Sequence, residues 1–364
     1  MSFLTKTLAA GVVSAAVLVG APVSASAKVA FSLPAPTGHH QVGTTEIHLV
    51  DGDRQDPWKP DRKRELMISV WYPAKDTRHH PRAQWLPDGL FASVDAFAAE
   101  AGIPKGSVDW TGPKTSGHVD APAKPGKRPV VLYSPGFGGP RAVGTALVQE
   151  LASRGYVVVT IDHTFETTVE FPGGRVEHPV EIPAEQMAKA LRARGDDTRF
   201  VLDELADRGW HLDDVGMFGH SYGGFTAGET MLHDRRIDAG INMDGGMFAE
   251  FGDVAERGLD RPFMLLGGQL LDENGVLVDH SPFTDIDPSW PQFWANQTGP
   301  KRSVVLTGAR HHNFSDLQVI LPQLVKPLNL PEDHFVELIG TIDPAKAYKA
   351  QYTDIRRFFD RYLS

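Results

Sequence analysis

The residues best suited to chemistry are Gly219-His220-Ser221-Tyr222-Gly223. They follow an apolar run, Val215 to Phe218, that reads as a strand, and they precede Phe225 to Leu232, which reads as a helix. A serine with glycines two positions before and after it, in that setting, belongs on a sharp strand-to-helix turn, where the glycines let the chain pass itself without a Cβ clash. The helix start behind the serine favours negative charge. This arrangement suits nucleophilic attack on a carbonyl carbon. A serine hydroxyl attacks poorly at neutral pH unless a base takes its proton and a third group orients the base. Around a G-x-S-x-G turn the order along the chain is serine, carboxylate, histidine. The base is therefore expected beyond the last strand, Ser303 to Leu306, where Gly308-Ala309-Arg310-His311-His312-Asn313-Phe314 offers two adjacent histidines. Neighbours on an extended loop point in different directions, so only one of them can face Ser221. Two carboxylates compete as the acid: Asp244, after the run Gly240 to Met243, and Asp272, after Pro262 to Leu266. Position alone leaves both open.

Holding these groups together requires a sheet. Thr45 to Val50 and Leu66 to Tyr72 alternate as half-buried strands do. Pro129 to Tyr133, Tyr156 to Ile161, Val215 to Phe218, Gly240 to Met243, Pro262 to Leu266 and Ser303 to Leu306 are apolar runs, as expected of strands covered on both faces. From the third strand on, helical patterns fall between them: Arg141 to Arg154, stopped by Gly155; Ala184 to Arg208, with Phe200, Val201, Leu202 and Leu205 toward the sheet; and Ala345 to Leu363 at the end. The pattern predicts an α/β fold with a mostly parallel eight-stranded sheet and helices on both faces. Residues 28–364 read as one domain without internal repeats. Lys75 to Arg128 reads as an insertion between the second and third strands with a short helix, Leu90 to Ala101, and a connection that long is expected to border a site.

Composition narrows the function. With 36 Lys+Arg against 46 Asp+Glu the formal net charge is −10, which disfavours nucleic acid and anionic membrane surfaces as partners. The absence of cysteine removes disulfides, thiol catalysis and cysteine-held metals. Residues 1–27 carry one charge, Lys6, then an apolar stretch from Leu8 to Val19 and the small residues Ala25-Ser26-Ala27. They read as a secretory signal peptide cleaved after Ala27, too short in its apolar core for a stable membrane anchor, so the protein is expected to be secreted. The histidine pairs at 39–40, 79–80 and 311–312 lack the spacing of a zinc site, and Asp51-Gly52-Asp53 lacks the rest of a calcium loop. No metal or other cofactor is expected. Met247, Phe248 and Phe251, just after Asp244, and Trp290, Phe293 and Trp294 are candidates to line an apolar substrate pocket, with Met247, Phe248 and Trp290 foremost.

Several motifs taken together resemble the secreted and plasma-type platelet-activating factor acetylhydrolases: Ser221 with Asp244 in Asn242-Met243-Asp244-Gly245-Gly246-Met247-Phe248, the segment His311-x-Asn313-Phe314-x-Asp316, and Tyr133-Ser134-Pro135-Gly136-Phe137-Gly138-Gly139. Val42-Gly43-Thr44-Thr45, Asp56-Pro57-Trp58 and Arg64-Glu65-Leu66-Met67 are similar to bacterial acetylhydrolases and lipases of that kind. The resemblance implies an α/β-hydrolase fold and a calcium-independent serine esterase. It implies Ser221 as nucleophile, Asp244 as acid, His311 as base, and the backbone N–H groups of Phe137 and Tyr222 as the oxyanion hole. Pro135 departs from the pattern of the animal enzymes, in which a histidine usually precedes the glycine. The substrate implied is a short-acyl ester or an acetylated phospholipid. A partial resemblance to cutinases and polyester-degrading lipases favours Asp272 instead. A peptidase on the same fold and a non-catalytic secreted binding protein are the other classes; a complete serine, carboxylate and histidine order argues against the latter.

Overall fold

A computed structural model describes residues 27–331 and 333–363; apart from Ala27, the segment read as a signal peptide lies outside them. The ordering principle is visible in β5 (Val130–Ser134), where Val130 and Leu132 enter one apolar core and Val131 and Tyr133 the other. A strand whose alternate side chains both need apolar cover must lie inside a sheet with helices on both sides. The same holds for β6 (Val157–Asp162), β7 (Val215–His220), β8 (Ala239–Met243) and β9 (Phe263–Gly267), each buried along its whole length. On one face lie α3 (Met187–Asp207) and α4 (Tyr222–His233), contributing Leu191, Val201, Leu202, Leu205, Phe225 and Met231. On the other lie α2 (Thr145–Ser153) and the final helix, Pro344–Tyr362, with Leu147, Leu151, Ile355 and Phe359.

Among the described residues the sheet has ten strands rather than eight. With β1 (Gln41–Gln55), β2 (Lys63–Ala74), β3 (Arg82–Gln84), β4 (Lys114–Val119) and β10 (Lys301–Val305), the order is β10-β9-β8-β7-β5-β6-β2-β1-β4-β3. Neighbours from β10 to β6 run parallel, whereas β6 and β2, β2 and β1, and β4 and β3 pair antiparallel. The sheet is thus mixed. Both additional strands come from the segment between β2 and β5 that the sequence reads as an insertion. They escape notice because strands at the margin of a sheet carry little apolar signal: the edge strand β3 is three residues long, and its neighbour β4 is Lys-Thr-Ser-Gly-His-Val. β4 adds in parallel to β1, with Val42 opposite Gly117.

The same segment contains α1 (Phe91–Glu100) and builds a satellite core from Trp85, Leu86, Leu90, Ile103 and Trp110. It packs there against Leu321 and Leu324 of the helix Leu317–Val325 and against Phe335. This core wall stands beside the carboxyl ends of the parallel strands, where open α/β sheets present their crevice.

Candidate active site

Ser221 is the residue before α4 and holds φ +56°, ψ −126°. A non-glycine residue in that region carries about 1–3 kcal/mol of strain and persists only when its surroundings over-determine it. Here they do. Ser221 N–H donates to Met243 O at 2.8 Å. A Cβ on Gly223 would lie 2.0 Å from Ser134 O, and one on Gly245 would lie 2.0 Å from Ser221 O. Gly223 of the motif and Gly245 after Asp244 thus permit close crossing of three strand ends, and the hydroxyl is presented at the head of a helix.

His311 opens the turn His311–Phe314 after β10. Its Nε2 lies 2.9 Å from Ser221 Oγ and its Nδ1 lies 2.8 Å from Asp244 Oδ2. The backbone of His311 is held from below, because His220 Nε2–H donates to its carbonyl at 2.9 Å. Burial, helped by His311 and His312, pushes the pKa of His220 well down. His312 points elsewhere, into an apolar cavity, and burial lowers it to about 4.

Asp244 follows β8 and is buried. Its Oδ1 accepts from Gly268 N–H at 3.0 Å and faces His280 Nδ1 at 2.8 Å, which leaves Oδ2 to His311. Burial alone would raise its pKa, but the bonds from His280 and His311 outweigh it and hold the carboxyl below the usual range. Asp272 does not approach a histidine. It sits on the exposed hairpin Gln269–Leu271/Leu277–Asp279, where its Oδ1 accepts the N–H groups of Asn274 and Val276.

Phe137 N–H donates to no group among the described residues, and Tyr222 N–H is the first of its helix, where no intrahelical acceptor exists. The two side chains touch edge to face at 5.7 Å. A Cβ on Gly136 would meet Ser221 Cβ at 3.4 Å, so this loop lies directly against the serine. Arg194 of α3 fixes its course, donating to Pro135 O at 2.7 Å, to Gly136 O at 3.3 Å and to Glu166 at 2.7 Å. The Gly136 carbonyl belongs to the peptide whose N–H is that of Phe137, so the guanidinium orients that donor. Behind it, His163 bridges Ser134 Oγ and Asp197 at 3.0 Å each, and Asp197 pairs with the fully buried Arg64, which also binds Asp56. The Asp56-Pro57-Trp58 and Arg64-Glu65 motifs therefore support the loop beside Ser221 from two layers away.

The apolar cavity at this loop measures about 440 Å³ and is walled by Trp85, Phe97, Trp110, Phe137, His220 and His312 among others. Neither it nor a larger cavity of about 520 Å³, around Glu46, Arg141 and Glu170, is lined by Ser221, Asp244 or His311; the smaller one borders the site through Gly136, Phe137, His220 and His312. Met247 and Trp290 do not line the smaller cavity. Both are fully buried in the main core, and Phe248 lies on the surface. Among the described residues one group, Glu229, His233 and Asp253, brings metal-type ligand atoms within 4.8 Å of one another. The Glu229 oxygens are already engaged there by His233 and by the N–H groups of Asp253 and Val254. Arg194, His163 and His280 were not singled out from the sequence; their contacts span long separations and leave no local pattern.

Comparison with known proteins places the chain in a family of ester hydrolases. A family profile described as platelet-activating factor acetylhydrolase, isoform II, matches residues 25–170 and 197–364. A probable 1-alkyl-2-acetylglycerophosphocholine esterase of Arthroderma benhamiae is 28% identical over 329 residues, covering 84% of this chain and 81% of that protein. The platelet-activating factor acetylhydrolase of Gallus gallus is 22% identical over 407 residues, covering 94% and 88%. Among solved structures, a ferulic acid esterase from Streptomyces cinnamoneus superposes with a TM-score of 0.75 at 35% identity, covering 92% of this chain and 93% of that one.

Proposed function

This chain belongs to the platelet-activating factor acetylhydrolase isoform II family of α/β-hydrolases and is an ester hydrolase; from that premise we propose that it works through Ser221, His311 and Asp244 by way of an acyl-enzyme. The observation that carries the reading is the unbroken line from Ser221 Oγ to His311 Nε2 at 2.9 Å and from His311 Nδ1 to Asp244 Oδ2 at 2.8 Å. Ser221 Oγ attacks the ester carbonyl while His311 takes its proton; Asp244 fixes the imidazole tautomer and stabilises the imidazolium. The carbonyl oxygen, now negative, accepts from the N–H groups of Phe137 and Tyr222, each worth roughly 3 kcal/mol in the transition state. His311 returns the proton to the leaving alcohol. Water then attacks the acyl-enzyme with His311 again as base and releases the carboxylic acid.

The substrate we propose is a short-acyl ester or an acetylated phospholipid, the chemistry named for the fungal and avian relatives. One observation favours a second reading, an aryl ester: Trp85, Trp110, Phe97 and Phe137 give the cavity an aromatic lining, and one solved relative is a ferulic acid esterase. Export follows from residues 1–27 as read above. No helix among the described residues is long and apolar enough to cross a membrane. The test is a p-nitrophenyl ester series from acetate to palmitate beside a platelet-activating-factor analogue and methyl ferulate, each with and without EDTA. Highest kcat/KM on the acetyl esters, unchanged by chelator, is expected. A steady rise toward palmitate overturns the short-acyl assignment, a preference for methyl ferulate selects the aryl reading, and chelator sensitivity overturns the metal-free mechanism.

A further inference from the structure

Asp244 is approached by two histidines, and only one of them reaches Ser221. The other, His280, follows the hairpin Gln269–Leu271/Leu277–Asp279 and is 2% exposed. Its backbone is clamped: His280 N–H donates to Gly268 O at 2.9 Å, and a Cβ on Gly267 would meet its carbonyl at 2.0 Å. Its ring stacks on the Trp290 indole, centroids 3.8 Å apart and planes 24° apart, and that indole is pinned through Nε1 to Gly245 O at 2.8 Å. Both ring nitrogens meet a carboxylate. Nδ1 lies 2.8 Å from Asp244 Oδ1, and Nε2 lies 3.1 Å from Asp287 Oδ2.

A neutral imidazole has one N–H and one lone pair, so one of these contacts would set a lone pair against a carboxylate oxygen. Two protons on the ring satisfy both. The remaining oxygen of Asp287 is taken by Ser289 N–H at 2.9 Å and Ser289 Oγ–H at 2.6 Å, so Asp287 too is arranged as an anion. The neighbouring Asp279 is turned away and accepts from Gln269 Nε2. The charged groups facing the ring are therefore Asp244, from the loop after β8, and Asp287, from the loop before the helix Ser289–Asn296, with His311 beyond Asp244.

We propose that His280 is a buried imidazolium, held between Asp244 and Asp287, that positions the Asp244 carboxylate and sets the basicity of His311. The inference rests on the reading of Ser221, His311 and Asp244 given above. With Gly268 N–H it occupies Oδ1 and turns Oδ2 toward His311. Its positive charge opposes protonation of His311, and the negative charge of Asp287 restores the balance. Asp244, His280 and Asp287 together carry −1, the charge that Asp244 alone would bring. The pKa of His280 agrees: burial alone would lower it, but Asp244 and Asp287 raise it to about 9.

Charge variants separate this role from packing. His280→Gln leaves two carboxylates beside His311 and is expected to raise the acid-limb midpoint of kcat/KM by about one pH unit. The double variant His280→Gln/Asp287→Asn restores the net charge and should return the midpoint toward that of the unmodified enzyme, whatever its kcat. No shift in His280→Gln, or a double variant displaced as far as the single one, overturns the proposal. Should these variants fold poorly, 15N-edited NMR of the unmodified protein at pH 7.5 decides: both His280 ring nitrogens protonated is the expected result, and a single N–H tautomer contradicts it. Ser221→Ala keeps the two questions apart. Retained turnover there sinks the active-site reading, while a dead Ser221→Ala with a neutral His280 sinks only the present inference.

Discussion

Replacing Asp244 by Asn is expected to cost far more than the loss of one charge, because the surroundings dictate which way the amide faces. The Oδ1 position receives two donors, Gly268 N–H at 3.0 Å and His280 Nδ1 at 2.8 Å. The backbone donor cannot reverse, so the amide oxygen takes that position. The amide NH₂ is then forced to the Oδ2 position, 2.8 Å from His311 Nδ1. His311 must accept there, which moves its proton to Nε2, the nitrogen 2.9 Å from Ser221 Oγ. A ring protonated at Nε2 cannot take the serine proton. Wrong-tautomer loss of this kind costs about 10⁴ in kcat, or about 5.5 kcal/mol of transition-state stabilisation. KM should change little, since Asp244 lies behind His311 and touches no substrate. The assay is steady-state hydrolysis of p-nitrophenyl acetate with circular dichroism as the folding control. Asp272→Asn, which alters only an exposed hairpin turn, should stay within about twofold, as surface changes away from a site do. An Asp244→Asn enzyme within tenfold of the unmodified one, or an Asp272→Asn enzyme equally damaged, refutes the argument.

Three further expectations follow from the same contacts. His311→Ala should fall to the background rate, whereas His312→Ala, which alters only the cavity wall, should keep most of its kcat and change KM; equal losses in kcat would show that the base has been misassigned. Arg194→Met removes the donor that orients the Gly136–Phe137 peptide, so kcat should drop by about 10² with KM nearly unchanged, and leaving Glu166 buried and unpaired should cost about 3–5 kcal/mol of stability. Arg194→Met/Glu166→Gln should recover stability but not kcat, as read by urea titration beside kinetics; recovery of both would make the arginine purely structural. Stability should also fall in acid. Burial, with Arg194 nearby, lowers His163 from 6.5 to about 4, so the unfolded chain takes up that proton first. Its contribution is intact above pH 6.5, and about 3 kcal/mol is lost as pH falls to 4. Asp197, held low by Arg64 against the opposing effect of burial, loses its contribution at still lower pH. His163→Gln should flatten the dependence between pH 6.5 and 4, and an unchanged slope in urea titrations over that range would contradict the assignment.

How legible each part was depends on how local its cause is. The Ser221 turn announces itself because its constraint is a Cβ clash that only glycine at 223 relieves, and that constraint is written within five residues. The inner strands are legible because burial on both faces demands unbroken apolar runs such as Val130 to Tyr133 and Val157 to Ile161. β3 and β4 are not, because the last two strands at the sheet's margin bury little and can be as polar as Lys114 to Val119. Spacing could order Ser221, a carboxylate and a histidine, yet it could not choose between His311 and His312, or between Asp244 and Asp272; those choices lie in side-chain direction. Trp290 illustrates the opposite difficulty. A tryptophan late in the chain among other aromatic residues suggests a pocket wall, but this one is buried, stacked on His280 and bonded to Gly245 O. His280 itself becomes visible only when the hairpin folds back onto Gly268 and brings together residues 36 positions apart.

The central claim, that Ser221 is the nucleophile of an ester hydrolase, is tested most directly by reaction with a fluorophosphonate followed by tandem mass spectrometry. One adduct per chain is expected, mapped to Ser221, with p-nitrophenyl acetate turnover lost in proportion to labelling, and with neither label nor turnover in a folded Ser221→Ala protein. An adduct at another residue, or turnover that survives complete labelling of Ser221, would contradict the account.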